Sequence, residues 1–421
     1  MTAILIALSL GACGSSSHGS TAASTTAKSP LAGLAAGATH ASCKSAAAAA
    51  LGEVGARIYR QAAAGRGVAE AVARVKRSPA LSAAISAGDA VAARAALDDL
   101  LANQIARIDI LKAGRTFASA GTGPAIAPVR GAVAGASFVL SVQADSSYLN
   151  VVKQVTGADV LLLSGARTGA PGRARPLAGT LAGAQPARLP TRGTLEYKNK
   201  KYESYSIAGS VFPTGPLRIV LLIAHGAIRC AGSAADTRVA ALGHVGELIY
   251  REEAASPYVK ATLRHIEADA GFQRAVAARD VAATRAAIVG FFAAHIHVVR
   301  VRVSVPAPGG AQRFFFDLGG PYVLAPVHGT LRSAGKLVGR FSFAIQDDAG
   351  YMKLARRFTG ADVLMRTGHK QVMGTLSPGP ASIPDRGAVS YRGRDYSAYS
   401  FTGQAFPSGP LRISLLVAAR R

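Results

Sequence analysis

The chain is poor in cysteine and acidic residues and has no long apolar run, and each shortage excludes a class of protein. Only three of its 421 residues are Cys, too few for a scaffold held together mainly by disulfides. Beyond the N-terminus no hydrophobic segment reaches the ~20 residues that cross a bilayer as a helix, so we predict no membrane-spanning helix. The sequence lacks the nucleophile-elbow, phosphate-loop and zinc-protease signatures. We therefore expect no enzyme activity, no cofactor and no metal.

The shortage of acids leaves a formal net charge of +25, from 48 Lys and Arg against 23 Asp and Glu. These basic residues are scattered through the chain rather than gathered into a stripe, and no nucleic-acid-binding motif accompanies them. We therefore expect no nucleic-acid partner. A positive surface outside the cell would favour anionic lipid, an anionic wall polymer or an acidic ligand.

Two long phrases of the sequence occur twice. Residues 197–219 return in similar form as residues 391–413, and residues 51–60 return as residues 242–251. The spacing of about 190 residues is far longer than the roughly 20 to 50 residues of a solenoid unit. We therefore predict two tandem modules, residues 43–226 and 230–421, each long enough to bury a core of its own.

The N-terminus has the features of a secretory signal. Residues 4–10 are mostly apolar and too short to span a bilayer, and they are followed by Gly11, Ala12 and Cys13. This segment resembles the lipobox of bacterial lipoproteins. The resemblance implies that residues 1–13 are a signal peptide with its lipobox, that Cys13 carries the lipid anchor at the cell membrane, and that residues 14–42 form a flexible tether. The alternative is an ordinary apolar N-terminus.

The other two cysteines occupy matching places in the two repeats. Cys43 and Cys230 each stand just before the first helix predicted for their module. In an exported protein this placement favours a disulfide between the starts of the two modules. Two unpaired buried thiols are the alternative, because the sequence does not give the separation of the two Cα atoms.

Each module is predicted to begin with helices and to continue with strands. Apolar residues recur at helical spacing in the Ala-rich opening, for example Leu81, Ile85 and Leu97. Later, valine occupies every second position of residues 299–305, which is typical of a strand with one buried face. The prediction is an α+β fold of two tandem modules, each with N-terminal helices packed on an antiparallel sheet.

This order of elements resembles that of the extracytoplasmic Cache family of PAS-like sensor domains. The resemblance covers both modules and is strongest in residues 316–322 and 346–351. Because each half has its own helical prelude, the chain resembles two single Cache modules in tandem. The resemblance implies a PAS-like sheet with a pocket for a small molecule. It carries no catalytic signature.

Six residues are candidates to line that pocket. The resemblance places Tyr148 and Tyr351 at one wall. On or beside the facing strands, Asp317 offers an acceptor, Tyr322 a hydroxyl and Arg302 a cation. Tyr399 could also reach the ligand. Tyrosines of this kind also serve as core or sheet packing, and the alternation around Arg302 favours solvent. The second module is the better candidate, because residues 117–124 of the first lack the polar groups of residues 316–322.

Three functions remain open on the sequence alone. The preferred hypothesis is a lipid-anchored extracytoplasmic sensor that captures a small molecule, such as a carboxylate or another anion. Since the sequence contains no kinase, cyclase or methyl-accepting segment, such a sensor needs a separate membrane partner for signalling or transport. The alternatives are a structural or adhesive envelope protein without a ligand, and a hydrolase of unrecognised type.

Overall fold

A computed structural model describes residues 43–102, 105–165, 175–181, 189–213, 215–294, 298–320, 323–406 and 409–419. The predicted signal peptide, the lipid attachment at Cys13, the tether and the candidate Tyr322 lie outside these residues. Among the helices in the described ranges, none is both long and apolar enough to cross a membrane.

The first module begins with four helices and continues with eleven strands and one more helix. The helices are α1 (Cys43–Ala64), α2 (Arg66–Arg77), α3 (Pro79–Ala87), α4 (Ala90–Leu101) and, after six strands, α5 (Asp145–Thr156). The strands are β1 (Arg107–Lys112), β2 (Arg115–Ala120), β3 (Ala125–Ile126), β4 (Val129–Val133), β5 (Ala136–Ser141), β6 (Gln143–Ala144), β7 (Asp159–Ser164), β8 (Arg175–Gly179), β9 (Arg192–Tyr197), β10 (Lys200–Val211) and β11 (Gly215–Ala224).

The second module repeats this order. Its helices are α6 (Ala234–Ala255), α7 (Pro257–Ala268), α8 (Ala270–Ala277), α9 (Val281–Ala294) and α10 (Asp348–Thr359). Its strands are β12 (Arg300–Pro306), β13 (Gln312–Gly319), β14 (Val323–Leu324), β15 (Val327–Ser333), β16 (Lys336–Ala344), β17 (Gln346–Asp347), β18 (Asp362–Thr367), β19 (Lys370–Gly374), β20 (Arg386–Tyr391), β21 (Arg394–Phe406) and β22 (Gly409–Ala418).

Local sequence signals account for several helix ends. The Oγ atom of Ser78 accepts a hydrogen bond from the Leu81 amide, and Pro79 stands at the first position of α3. Proline suits this position because the first amides of a helix have no partner within the helix. Helix α3 ends at Gly88, whose φ of 71° is in the left-handed region that glycine adopts without strain.

The strands of each module are divided between two antiparallel sheets. An outer sheet of four strands has the order β2-β1-β5-β4 in the first module and β13-β12-β16-β15 in the second. An inner sheet of seven strands has the order β6-β3-β10-β11-β7-β8 with β9 on β10, and β17-β14-β21-β22-β18-β19 with β20 on β21. The predicted α+β class with two similar modules is confirmed.

Each outer sheet has its own core. In the first module α2, α3 and α4 cover it, and the core includes Leu81, Leu97 and Phe138. In the second, Phe272 and Phe341 lie in the corresponding core under α7, α8 and α9. The edge-to-face packing of aromatic rings there, with centroids 6.2 Å apart, adds to the stabilisation that comes from burying their area.

The two inner sheets share a single core, unlike the separate cores expected from the sequence. Helices α1, α5, α6 and α10 pack against one another between the sheets, and one continuous apolar cluster contains Val54 of the first module and Val245 of the second. The side chain of Arg57 in α1 donates hydrogen bonds to the carbonyl oxygens of Phe358 and Thr359 at the end of α10. The modules are therefore joined through buried contacts and not only through the chain.

A disulfide joins Cys43 to Cys230, with the two Cα atoms 5.6 Å apart. It links the first residue of α1 to the segment that precedes α6. Beside it, buried Glu203 accepts hydrogen bonds from the hydroxyls of Ser45, at 2.7 Å, and Thr194, at 3.0 Å. The start of α1 is thus fixed both to the second module and to β10 of its own inner sheet.

Candidate functional site

The two tyrosines predicted at the pocket wall lie in the shared core. Tyr148 and Tyr351 are fully buried. Their hydroxyls donate to backbone carbonyl oxygens in the long helices, to Gly55 at 3.1 Å and to Gly246 at 3.0 Å. Burial raises the pKa of both hydroxyls far above the usual value. These side chains are core residues whose hydroxyls are satisfied by the protein, and their contact with a ligand stays a prediction.

Asp317 is occupied by an ion pair with the protein itself. The Arg300 guanidinium donates to both of its carboxylate oxygens, at 2.8 and 2.7 Å, and both side chains are mostly buried. The same guanidinium lies 5.2 Å from the ring centroid of Phe406 on the inner sheet. In the first module Arg107 lies 4.6 Å from the Phe212 ring in the same way. The pair of Asp317 and Arg300 therefore connects the outer sheet to the inner sheet.

Strand register also changes the comparison of the two modules at this position. Asp317 is the cross-strand partner of Arg302, and the residue in that place in the first module is Ser119, the partner of Asp109. Aligning residues 117–124 with residues 316–322 from their first residues places Ala118 there instead, one residue away. Because the Ser119 hydroxyl donates to Asp109 at 2.7 Å, the first module has polar groups at this point as well.

The remaining described candidates lie on different sheets. Arg302 is on the outer sheet, and its guanidinium lies 5.0 Å from the ring centroid of Phe314. Tyr399 is on the inner sheet, where its hydroxyl donates to Glu247 at 3.2 Å and its ring lies under the Arg386 guanidinium. Arg302 and Tyr399 therefore do not form the common site that the sequence suggested.

A different group of polar side chains surrounds a cavity of about 350 Å³ in the second module. We call it the arginine pocket and define it by Arg366, Arg412, Ser400, Thr402 and Asp385, all of which line it. It lies over the face of the inner sheet that points away from the helices. Along β18 the side chains alternate, with Val363 and Met365 in the shared core and Leu364 in a separate cluster on the opposite face. Arg366 continues that opposite face.

Strand register places the pocket residues in two rows. Arg366 pairs with Arg412, which pairs in turn with Thr402. In the next row on the same face, Leu364 pairs with Ser414, which pairs with Ser400. Side chains of paired residues lie side by side on one face of a sheet. The two guanidinium groups are therefore direct neighbours above a floor that also contains three hydroxyls.

Both arginines keep one buried donor without a protein partner. Arg366 is only 8% exposed, and its Nη atoms donate to the carbonyl oxygens of Ala381, at 2.9 Å, and Pro380. Arg412 donates through Nη2 to Ile383 O at 2.6 Å and to Asp385 at 2.7 Å. The Nε atoms of Arg366 and Arg412 are buried and have no hydrogen-bond partner among the described residues. A buried donor left unpaired costs roughly 1–3 kcal/mol, and the Nε atoms of Arg107, Arg238 and Arg357 are in the same state.

The first module shows what the same face looks like without this pocket. By register, the counterparts of Arg366, Arg412 and Thr402 are Leu163, Arg218 and Ala208, and those of Ser414 and Ser400 are Val220 and Ser206. The Nε atom of Arg218 donates to the Ser206 hydroxyl at 3.0 Å. In the second module the equivalent Ser400 bonds instead to Ser414, at 2.8 Å. This change leaves the Arg412 Nε atom open.

Sequence reasoning missed this pocket, although one signal was present. Arg412 belongs to the repeated phrase and has Arg218 as its counterpart, which suggested a structural role. Residues 156–161 return as residues 359–364, and two residues further on the first module has Leu163 where the second has Arg366. A charged residue that replaces leucine at a buried strand position is the feature that could have identified the site.

Comparisons with known proteins give distant structural neighbours. No protein-family profile and no curated protein matches the chain. The periplasmic domain of LuxQ from Vibrio cholerae is 11% identical with a TM-score of 0.31, and the match covers 43% of this chain and 100% of that domain. An extracellular ligand binding receptor from Desulfohalobium retbaense DSM5692 is 10% identical with a TM-score of 0.28, and the match covers 53% of this chain and 47% of the receptor. Such TM-scores do not establish a common fold.

Proposed function

We propose that the chain is an extracytoplasmic, lipid-anchored binding protein that captures a small molecule in the arginine pocket. A separate membrane protein then responds to the bound state. The observation that carries this proposal is that Arg366 and Arg412, which are direct cross-strand partners, both line one cavity over the inner sheet. The cavity volume of about 350 Å³ lies within the ~300–1,000 Å³ of typical small-molecule sites.

The first module supports a binding role over a purely structural one. There Arg218, the counterpart of Arg412, donates to Ser206 and to the carbonyl oxygen of Leu189 at 2.8 Å. The protein itself thus satisfies the Nε atom of Arg218. The second module adds Arg366, so that two guanidinium groups line the cavity there, and an anionic ligand would pair with this charge.

The disulfide would connect the proposed anchor covalently to the start of both modules. The segment after Cys13 would reach the folded protein at Cys43, which is bonded to Cys230. Replacing Cys13 by Ala should move the protein from the membrane fraction to the soluble fraction. Retention of this variant in membranes would overturn the proposed lipid anchor without affecting the proposed pocket.

A thermal-shift screen of the purified full-length protein tests the binding function. The compounds are amino acids, short organic acids, polyamines, nucleobases and sugars. A ligand at about 100 times its dissociation constant should add about 2.7 kcal/mol of stability. Arg366→Leu, which installs the residue of the first module, should abolish the shift. Ser206→Ala, at the equivalent of Ser400 in the first module, is the matched control and should keep it.

The same screen separates this function from the alternative of a structural or adhesive envelope protein. No stabilising compound in any class would favour the alternative. A stabilising compound whose effect survives Arg366→Leu would show binding at another place and overturn the assignment of the pocket.

A further inference from the structure

We infer that the arginine pocket selects a ligand with a single negative charge on a carboxylate, and that Asp385 sets this charge preference. The inference rests on the proposed function, because it names the ligand class of the same pocket. It depends on three features of the described residues: the count of charges, the arrangement of donors and the position of Asp385.

The charges around the pocket do not balance. Arg412 forms an ion pair with Asp385 at 2.7 Å. For Arg366, the described residues provide carbonyl oxygens but no carboxylate within ion-pair distance. Two guanidinium groups therefore face one carboxylate, and Arg366 is the more deeply buried of the two. Because a buried charge is stable mainly when paired, one negative charge from a ligand completes the set.

The donors suit a carboxylate group. Arg366 and Arg412 are direct cross-strand partners, and both arginines line the cavity. A carboxylate has two oxygens that can accept from two donors at once, and hydrogen bonds between ionised groups are roughly twice as strong as those between neutral groups. A neutral amide of the same shape has one acceptor oxygen and no charge. Its hydrogen bonds to the two guanidinium groups therefore lack the ionic contribution of a carboxylate.

Asp385 is placed at the mouth of the pocket. Its side chain is 82% exposed and contacts Arg412, while its backbone carbonyl accepts from the Ser400 amide at 2.9 Å. The backbone bond fixes the residue over β21, so that its carboxylate stays near the two guanidinium groups. A dianion would bring a second charge close to this carboxylate and be repelled. Removing the Asp385 charge should therefore shift the preference from monoanions to dianions.

Isothermal titration calorimetry on the full-length protein tests this inference with four probes: propionate, propionamide, succinate and inorganic phosphate. Wild-type protein should bind propionate at least about tenfold more tightly than propionamide, succinate or phosphate. Asp385→Asn should reverse the order of propionate and succinate. Because this side chain is exposed, the variant should keep the fold. Thr402→Ala, on the pocket floor, should weaken propionate binding without changing the charge order.

Other results separate the ligand class from the proposed function. Equal binding of propionate and propionamide, with both lost in Arg366→Leu, would overturn the carboxylate class and leave the binding function intact. An unchanged order of propionate and succinate in Asp385→Asn would overturn the role of Asp385. If none of the four probes binds but the broader screen finds another ligand at Arg366, the carboxylate class is overturned. If none binds and that screen is blank, the proposed function is overturned as well.

Discussion

Replacing both Cys43 and Cys230 by serine should lower the free energy of unfolding by about 5 kcal/mol. The two residues are 187 positions apart in the sequence, so the bridge closes a very long loop in the unfolded chain. The entropy removed from the unfolded state grows with the logarithm of loop length, and a loop of ~190 residues gives about 5 kcal/mol at 25 °C. The folded state should change little, because α1 and α6 stay packed in the shared core.

Urea unfolding followed by circular dichroism measures this effect. The double variant should unfold at a lower urea concentration, and its transition should be steeper because an unfolded chain without a cross-link exposes more surface. Wild-type protein treated with a reductant should match the variant, which provides the control for any effect of the serines. If the midpoint and the slope both stay at the oxidised wild-type values, the bridge does not constrain the unfolded chain and the entropic reasoning is refuted.

Two further predictions concern α6. Burial, followed by the nearby charges of Glu252 and Asp347, raises the pKa of Glu253 from 4.5 to about 7. Because the folded state favours the protonated carboxyl, Glu253 contributes about 3 kcal/mol of stability below pH 4.5, and this contribution is lost as the pH rises through 7. Glu253→Gln should remove that part of the pH dependence of the unfolding free energy, measured by urea titrations from pH 4.5 to 8. If the unfolding free energy changes with pH equally in the variant and the wild type, the raised pKa does not belong to Glu253. Gly243→Ala should cost about 1–3 kcal/mol, because a Cβ there would overlap the Tyr399 ring. The control Gly67→Ala, in α2 with open space around it, should be neutral or stabilising, and an equal loss in both variants would count against the packing argument.

Local sequence patterns were sufficient to predict the helices and strands and their order. Valine at every second position predicted a strand with one buried face, and Val301, Val303 and Val305 of β12 are buried in the outer core as expected. Leu81 and Leu97 lie in the core of the first module, as their helical spacing predicted. These predictions succeed because the period of apolar residues depends only on the geometry of a helix or strand.

The sequence could not identify the partners of the candidate ligand residues, and the reason is physical. Tyr351 and Asp317 are residue types that can bind a ligand or satisfy the protein itself, and their neighbours in space decide between these roles. Tyr351 meets a helix carbonyl and Asp317 meets Arg300. Neither partner is near in the sequence, so local spacing carried no information about them.

The sequence by itself determined the two similar α+β modules, because repeats and periodicity are properties of the linear chain. Only the tertiary structure decided that the strands form two sheets in each module and that the inner sheets share one core. The tertiary structure also decided that an arginine pocket forms. Arg366 and Arg412 become neighbours through the register of β18 and β22, and whether their donors are satisfied depends on the fold around them. Pairing between distant strands is set by the packing of the whole core, which local residue patterns do not specify.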